Sequence, residues 1–553
     1  MITNRLFVVF FSVAFVFQSF AQQMNFVLDQ QLQNSVEKNL YHPNAKMHTS
    51  IRPFRYDEVN NFNNVDSIHN ALQDSNRLYL LPTSLWAKVL IWSENKLFDE
   101  NLIEIDSAGF KVRANLLLNL RLGRDFENNN YGTWQNTRGY WIEGSFNNKL
   151  FFNSMLYENQ ARLLPHELRY AGKQNVVFGQ GRYKHFREDL TSGALDWSFS
   201  MGALSYRPNK FFNLEFGHGK HFLGDGYRSL LLSDHAAPSV YFKSEANFWK
   251  MKYVVLIQRN NHFGFIGQGD RLLDPKFNVI HYLSWNVNKR FNISLFENIT
   301  WKVTEKRGFD LNYLNPVVIM RPIEWQQGSA DRVMLGLNTS YKITPKVLVY
   351  GQFVLDDLNI QALKQNDNYW GNKYGFQTGA KVFDVLKIEN LNFQAEYNYV
   401  RPYTYSHFDS ITSHSQMNEP MAHPLGANFK EFVSFLRYNY KRSYFQIRYS
   451  SAIFGVDTNN INHGGNIFYS YNTNRVDVRG DGALYGQKTG QGLQTNLQIF
   501  DARYSYLINP KAHFMFEIGM TNRLYTNARF EEKNIYFYLG LRTVIHNFYN
   551  DFF

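Results

Sequence analysis

The sequence predicts an all-β protein, a transmembrane antiparallel β-barrel of about 18 strands, with a small, partly helical plug before the barrel. Three observations lead to this prediction. An export signal opens the chain, alternating apolar and polar residues flank short basic turns, and long glycine-rich polar segments separate the resulting hairpins. Alternation with a period of two puts successive side chains on opposite faces of a strand, as a wall between lipid and a wet lumen requires.

Residues 1–21 have the composition of a cleavable secretory signal. Arg5 precedes an apolar run from Leu6 to Phe17, and the small residues Ser19 and Ala21 precede the expected cleavage site. The apolar run is shorter than the ~20 residues that a membrane-spanning helix needs. No Cys follows the cleavage site, so a lipoprotein anchor is not expected. We therefore expect an exported protein that is located in an outer membrane.

Composition narrows the class of protein further. After the signal, no apolar stretch is long enough for a helical span, although 17% of all residues are aromatic. A barrel with a lipid face and a wet lumen reconciles these aromatics with a mean hydropathy of -0.41. A secreted β-sandwich or lectin domain is the alternative. The absence of cysteine excludes disulfides and Cys-ligated metal sites.

The charge balance points to anionic partners at the cell surface. Arg5 is one of the 58 basic residues, so the expected mature chain keeps 57 against 47 acidic residues, a net charge of +10. A basic surface attracts anionic polysaccharide and the phosphates of outer-membrane lipid and lipopolysaccharide. The alternative is that the basic residues only occupy the turns and rims of the barrel and bind no partner. Nucleic acid is not an expected partner of an exported barrel.

Short turns set the predicted number of strands. The alternating segments 196–206 and 212–217 show the unit, because Arg207-Pro208-Asn209-Lys210 between them is typical of a hairpin turn. Outer-membrane barrels have short turns on the periplasmic side and long loops outside. Eight such turns join sixteen strands, and one more strand at each end makes eighteen, with sixteen or twenty as alternatives. The turns lie near residues 147–149, 208–210, 249–250, 288–290, 344–346, 389–390, 440–442 and 509–511.

The first and last strands close the predicted barrel. The first runs from Phe110 to Leu122, where apolar residues alternate with polar ones such as Asn115 and Arg121. The last begins near Asn534, and the sequence ends on Phe552-Phe553. A C-terminal strand that closes on Phe is the usual recognition mark for the barrel-assembly machinery, which is therefore an expected partner during biogenesis.

Residues 22–109 differ from the predicted barrel at residues 110–553 in the spacing of their apolar residues. Three segments within them have helix-like spacing of apolar residues, namely Phe26 to Leu40, Val65 to Leu72 and Ser84 to Leu97. Prolines interrupt the pattern between these segments. We expect a small periplasmic plug here.

The predicted outer loops are long, polar and rich in glycine, and we expect some of them to fold into the lumen. Loops of this length inside an ordered protein are usually functional or disordered. They span roughly residues 159–195, 220–238, 261–278, 302–331, 356–375, 401–430 and 453–492.

The segment from residue 216 to residue 234 has the highest density of glycine, histidine and charge. His218, His221 and Asp225 are candidate metal ligands there, but residues i and i+3 of a strand face opposite sides. We expect a glycine-bent strand end that enters a folded loop, with no metal and no cofactor. His166-Glu167 lacks the second His of a zinc protease motif, and G-x-S-x-G is absent. No catalytic residues are expected, and a hydrolase with Ser, His and Asp in its loops is the alternative.

The same segment resembles the central signature of the capsule-assembly Wzi family, and it is most similar to the branch that includes RemB-type gliding-motility surface proteins. Support comes from the stretches 281–297, 315–357 and 423–431, and the resemblance spans about residues 45–553. The signature residues are Gly217, His218, Gly219, Lys220, Gly224, Asp225, Gly226, Arg228, Ser233 and Asp234.

The resemblance implies an eighteen-stranded barrel with a helical plug and inward-folded loops, which agrees with the count of turns. It further implies an outer-membrane lectin that holds capsular polysaccharide on the cell, or a surface component of gliding motility. Aromatic rings stack on sugars, and amide, carboxylate and Arg groups bind their hydroxyl and acidic groups. Loop residues of these types are Trp325, Trp370, Tyr403, Tyr405, Asn428, Tyr469, Tyr471 and Arg475.

Three functions follow from these observations. A non-enzymatic barrel that binds, retains or assembles surface polysaccharide is the leading hypothesis. A gliding-motility or adhesion component and a diffusion porin or substrate-specific channel are the alternatives. A porin needs an open aqueous lumen, whereas the long loops and the expected plug favour occlusion.

Overall fold

Alternating side chains build the wall of the barrel strand by strand. The computed structural model describes residues 36–55, 58–59, 85–188, 193–263, 273–315, 331–365 and 367–553. In this part of the chain, eighteen antiparallel strands form a closed barrel, as the sequence predicted. The strands are β1 (Phe110–Asp125), β2 (Tyr131–Phe146), β3 (Leu150–Arg162), β4 (Ala194–Tyr206), β5 (Phe212–Gly219), β6 (Ser239–Phe248), β7 (Met251–His262), β8 (Asp274–Asn286), β9 (Phe291–Lys302), β10 (Arg332–Thr344), β11 (Val347–Asp357), β12 (Lys373–Val382), β13 (Leu391–Val400), β14 (Phe429–Tyr440), β15 (Ser443–Val456), β16 (Leu493–Asn509), β17 (Phe514–Asn527) and β18 (Glu531–Thr543).

Strand β1 shows how the sequence separates the two faces of the wall. Leu116, Leu120 and Leu122 point outward, and Leu122 is 63% exposed. Asn115, from the alternating set, points inward and is only 4% exposed. An apolar outer face around a polar interior is the arrangement of a barrel that spans a lipid bilayer. The wall closes where β18 pairs with β1, for example at Leu541 opposite Leu120.

All eight predicted turns lie between consecutive strands at one end of the barrel. The shortest follow β6, β10 and β14, where only two residues separate the strands. The longest lies between β12 and β13 and contains a single 3-10 turn, Val385–Lys387. The other end carries the nine remaining connections, and seven of these are the predicted long loops. We call the two ends the turn side and the loop side.

Short helices and short strands accompany the eighteen strands of the wall, and the longest of these short strands, Ile103–Ser107, pairs with the start of β1. The helices are α1 (Leu85–Phe98), α2 (Pro165–Gln174) and α3 (Ile360–Gln365), and residues 36–40 are also helical. No helix among the described residues combines the length and the apolar character that a membrane crossing requires. Helix α1 confirms the predicted helix at Ser84 to Leu97, and the described end of the segment from Phe26 to Leu40 is helical. The signal peptide and the segment from Val65 to Leu72 lie outside the described residues.

The N-terminal segment at residues 36–59 enters the lumen from the turn side. Lys38 forms an ion pair with Asp384 at 2.7 Å, next to the turn between β12 and β13. Ile51 and Arg52 pair as a short strand with Leu223 and Phe222 of the loop after β5. The described residues between 36 and 59 therefore lie inside the lumen near the turn side, whereas α1 packs against the turns, where Asn509 donates to the Lys96 carbonyl.

The C-terminal segment at residues 544–553 departs from the sequence prediction. Strand β18 ends at Thr543, on the turn side, and the following residues leave the wall and pass back through the lumen. Phe552 is buried, and its ring packs edge-on against Tyr170 at 5.4 Å between ring centroids. The expectation that the last strand closes on Phe is therefore wrong for this structure. The physical reason is that buried loops line the lumen and offer these rings a better-packed environment than the wall does.

Candidate functional site

The loop between β5 and β6, residues 220–238, lies wholly inside the barrel, and we call it the inner loop. Each of its residues is buried. Leu230, Leu231 and Leu232 form the centre of the largest apolar cluster, against wall residues such as Met334 and Val354. The signature residues Gly217, His218 and Gly219 form the end of β5 that leads into this loop.

Arg228 occupies the charged centre of the inner loop. Its guanidinium binds Glu431 of β14 at 2.8 Å and Asp551 of the C-terminal segment at 3.1 Å. Asp551 also pairs with Arg448 of β15 at 3.3 Å. The other oxygen of Glu431 lies 2.6 Å from the ring nitrogen of His423. This network ties the inner loop, the wall and the C-terminal segment together, and a buried charge needs such partners.

The two acidic signature residues connect the inner loop to both ends of the chain. Asp225 accepts hydrogen bonds from the Thr49 hydroxyl at 2.6 Å and from Asn338 at 3.1 Å. Asp234 accepts one from the Tyr549 hydroxyl at 2.6 Å. These carboxylates therefore act as clamps on the N-terminal and C-terminal segments.

Gly224 and Gly226 occupy places where a side chain does not fit. Gly224 has a φ of +149°, and a Cβ there would collide with the Gln352 amide. A Cβ at Gly226 would collide with Glu396 and would lie 2.8 Å from the carbonyl oxygen of Arg228. The backbone N–H groups of Tyr227 and Arg228 use this close approach to donate to Glu396, at 2.8 and 3.1 Å.

Ser233 and Lys220 join the inner loop to neighbouring loops. The backbone N–H of Ser233 donates to the Met421 carbonyl at 2.7 Å. Glu419 accepts hydrogen bonds from the backbone of Gly179 at 2.6 Å and of Ala237 at 2.9 Å. Burial raises the pKa of the Glu419 carboxyl to about 8 in spite of these donors. Burial likewise lowers the pKa of Lys220 to about 8.

The three candidate metal ligands do not converge. His218 contacts the Ser200 carbonyl at 3.0 Å, and His221 packs edge-on against Tyr241 at 4.3 Å. Asp225 is bound to Thr49, as described above. Among the described residues, no group of three or more His, Asp or Glu side chains has a geometry that could hold a metal ion.

The candidate sugar-binding residues separate into two groups. Trp370, Tyr403, Tyr471 and Arg475 meet on the loop side, where Lys373 joins them, and we call these five residues the rim cluster. The Trp370 ring lies 5.0 Å from that of Tyr471, and the Arg475 guanidinium lies 3.9 Å from the centre of the Trp370 ring. The Lys373 ammonium lies 4.3 Å from the Tyr471 ring. Three different loops thus bring aromatic rings and cations to one place.

An open cleft lies beside the rim cluster, because its lining includes Tyr369 and Gly371, which flank Trp370, and Asp357, which lies 3.6 Å from the Lys373 ammonium. Helix α3 and the segment around Tyr369 form its sides, with the exposed polar side chains of Asp357, Asn359 and Gln361 between them. Side chains of these types bind sugar hydroxyl groups. The sequence prediction missed Lys373 and this polar edge, although Trp370 and the helix-like spacing of residues 360–365 lie beside it.

The candidates of the second group that are buried make hydrogen bonds to the backbone of other loops. Tyr405 is buried, and its hydroxyl donates to the Leu230 carbonyl of the inner loop at 2.8 Å. The Asn428 side chain is also buried and holds the backbone of Gly490 and Gln491, at 2.7 and 2.9 Å. Tyr469 is 37% exposed and lies on the loop side, whereas Trp325 lies outside the described residues.

Comparison with known proteins bears on the fold. No family model matches the chain, and no curated protein matches it. Among solved structures it is similar to Wzi of Escherichia coli, an outer membrane protein involved in group 1 capsule assembly and described as a carbohydrate-binding β-barrel. The two share 11% identity and a TM-score of 0.53, over 94% of this chain and 99% of Wzi. Identity at this level shows a common fold.

Two further similarities are weaker. OprD of Pseudomonas aeruginosa shares 12% identity at a TM-score of 0.41, over 79% of this chain and 96% of OprD. OccAB4 of Acinetobacter baumannii shares 10% identity at a TM-score of 0.39, over 79% of this chain and 98% of that protein. Both scores are too low for a conclusion about this chain.

Proposed function

We propose that the chain is a plugged outer-membrane barrel that binds and retains surface polysaccharide through the loop side, without enzymatic activity. The observation that carries the proposal is the combination of a filled lumen with an aromatic and cationic rim cluster. A barrel of this kind offers its ligand a surface and no open path.

The filling of the lumen supports a binding function over transport. The inner loop, the N-terminal segment and the C-terminal segment all enter the barrel and are held by buried ion pairs such as that of Arg228 with Asp551. Opening a path would break several of these pairs at once, and each unpaired buried charge is costly. We therefore expect no ion conductance.

The chemistry of the rim cluster supports an acidic or neutral glycan as the ligand. Trp370 and Tyr471 provide aromatic faces, with Tyr369 of the cleft beside them, and Arg475 adds a forked donor that suits a carboxylate. The carbohydrate binding described for Wzi, whose fold this chain shares, is consistent with this proposal. Membership of the Wzi family, and of its RemB-type branch, rests on the signature of the inner loop and belongs to the same proposal.

The testing experiment compares cell-bound and released surface polysaccharide in a deletion strain that carries the wild-type chain or a variant. Trp370→Ala should release polysaccharide into the medium as the deletion does. The matched control is Trp249→Ala, because Trp249 is 77% exposed and lies in a turn at the opposite end of the barrel.

The other functions predict different results in this experiment. Unchanged polysaccharide together with lost colony spreading would favour a gliding or adhesion component. Stepwise conductance of the purified protein in a planar bilayer would favour a channel and would contradict the plugged barrel. Equal release by the Trp370→Ala and Trp249→Ala variants would remove the rim cluster from the proposal.

A further inference from the structure

A second cavity lies inside the barrel, apart from the rim cluster. It is bounded by β1 to β4, β16 to β18, the start of α2 and the C-terminal segment. Its walls come from the inward-facing residues of the strands. We call it the lumen chamber.

The lining of the lumen chamber is strongly cationic. Five guanidinium groups border it, and only one carboxylate does. These side chains are Arg121, Arg162, Arg503, Arg523, Arg542 and Glu167.

The neighbouring acidic groups do not balance this charge evenly. Arg121, Arg503 and Arg542 share the single carboxylate of Glu517, at 3.8, 3.7 and 3.0 Å. Only the last of these is a close contact. Arg503 also lies 3.6 Å from Asp501, but Asp501 is shared with Arg448 at 3.9 Å. Four cations around two anions leave a net positive potential in a space that bulk water screens poorly.

Two polar side chains at the chamber each have one buried nitrogen without a hydrogen-bond partner. No carboxylate of the described residues lies within 4 Å of the Arg162 guanidinium, which instead stacks 4.2 Å from the Tyr131 ring, and its buried Nε has no hydrogen-bond partner. His166, at the start of α2, is 7% exposed, and its Nδ1 has no partner either. Buried donors without partners are rare because each costs free energy.

The protonation state of His166 decides which hydrogen bonds its ring can make. Burial, Arg523 and Arg169 lower its pKa well below the usual value, so the ring is neutral. A neutral imidazole carries one N–H donor and one acceptor nitrogen. In the tautomer with its proton on Nδ1, the ring adds a donor to the lining of the chamber without adding charge.

We infer that the lumen chamber binds a small anion, a carboxylate or a phosphate, with Arg162 as the principal donor. The forked guanidinium matches both groups in geometry and charge. The chamber is enclosed by the wall, so a single sugar acid or inorganic phosphate suits it, and a polymer chain does not. This inference is independent of glycan binding at the rim cluster.

The test is isothermal titration of the full-length protein in detergent, with sodium glucuronate, sodium phosphate and neutral glucose at one ionic strength. We expect saturable one-site binding of glucuronate or phosphate and none of glucose, and the preferred anion distinguishes a carboxylate ligand from a phosphate ligand. Arg162→Gln should weaken this binding at least tenfold. The control Arg138→Gln, on the exposed outer face of β2, should leave it unchanged.

Two results would overturn the inference. One is the absence of saturable binding by either anion, and the other is equal affinity of the wild type and Arg162→Gln. Should Arg162→Gln not reach the folded, heat-modifiable form, Arg162→Lys replaces it. That variant keeps the charge and loses the forked geometry, and we expect it to bind at least threefold more weakly.

Discussion

The inner loop and the tip of the loop between β15 and β16, residues 477–482, both contain glycines and lie on the loop side, yet they end in opposite environments. Asp225 of the inner loop binds Thr49 and Asn338, which lie far away in the sequence. Asp477 of the other loop accepts from the backbone of Gly480 at 2.7 Å and of Asp481 at 3.1 Å, within its own turn. The tip around Asp477 satisfies this carboxylate within its own turn and stays exposed, whereas the inner loop, whose partners lie on the wall and the termini, is buried in the lumen.

The arginines of the two regions differ in the same way. Arg228 is buried between Glu431 and Asp551, while Arg479 forms an exposed pair with Asp367 at 3.4 Å. The first pair is shielded from water and the second is screened by it. The two loops are therefore expected to respond to similar substitutions with very different changes in stability.

The largest expected effect comes from the paired arginines. Arg228→Ala removes the buried cation that Glu431 and Asp551 share, although Asp551 keeps Arg448, and it should lower the free energy of unfolding by about 3–5 kcal/mol. Arg479→Ala should change it by no more than about 0.5 kcal/mol, because exposed pairs contribute little. Guanidinium-induced unfolding in detergent, followed by tryptophan fluorescence, measures both. Similar losses in the two variants would contradict the distinction between the loops.

The next effect concerns two glycines with ordinary backbone angles. Gly226→Val forces a side chain against Glu396 and should cost about 1–3 kcal/mol through overpacking. Gly308→Val in the loop after β9 is the matched control, because no atom lies within 4 Å of the added Cβ. The heat-modifiable shift in gel migration and the unfolding midpoint report the difference. A normal yield and a normal unfolding midpoint for Gly226→Val would show that the inner loop accommodates a side chain at residue 226, and this would contradict the structure.

The last expected effect is a pH dependence that originates at Glu419, and it is small over any single pH unit. Its pKa of about 8 lies above the value of about 4.3 in an unfolded chain, so the folded protein keeps a proton that the unfolded chain releases. This contribution to stability is complete below pH 4 and is lost as the pH rises to about 8, with a slope of at most about 1.4 kcal/mol per pH unit. Glu419→Gln stays neutral and should remove this slope between pH 5 and 7. Parallel stability curves for the two proteins would contradict the assignment.

Much of the barrel could be predicted from the sequence because its determinants are local. The turn at Pro208-Asn209-Lys210 and the alternation around Leu116 and Leu120 depend on residues a few positions apart. Each strand also pairs with its neighbour in the chain, so counting turns gave the number of strands. The same logic failed at residues 544–553. Phe552 and Phe553 are residue types that suit the end of a wall strand and a buried position in the lumen equally well.

The candidate site could be predicted only in part. Trp370, Tyr471 and Arg475 were chosen by residue type, and they meet at the rim, but Tyr405 and Asn428 have the same chemistry and are buried. No local pattern distinguishes these two groups, because burial depends on which loop folds over which. No sequence motif marked Arg162 and His166 as lining residues of the lumen chamber, because the chamber also forms only when distant segments fold together.

The sequence by itself determined the wall, its eighteen strands and its turn side, since alternation and turn chemistry act over a few residues. The tertiary structure decided what fills the wall. Arg228 and the Asp551 carbonyl that it also contacts are 323 residues apart, and no pattern in the sequence links them. Buried charges must find partners wherever the fold brings them, and only the closed barrel brings the inner loop and the C-terminal segment to the same place.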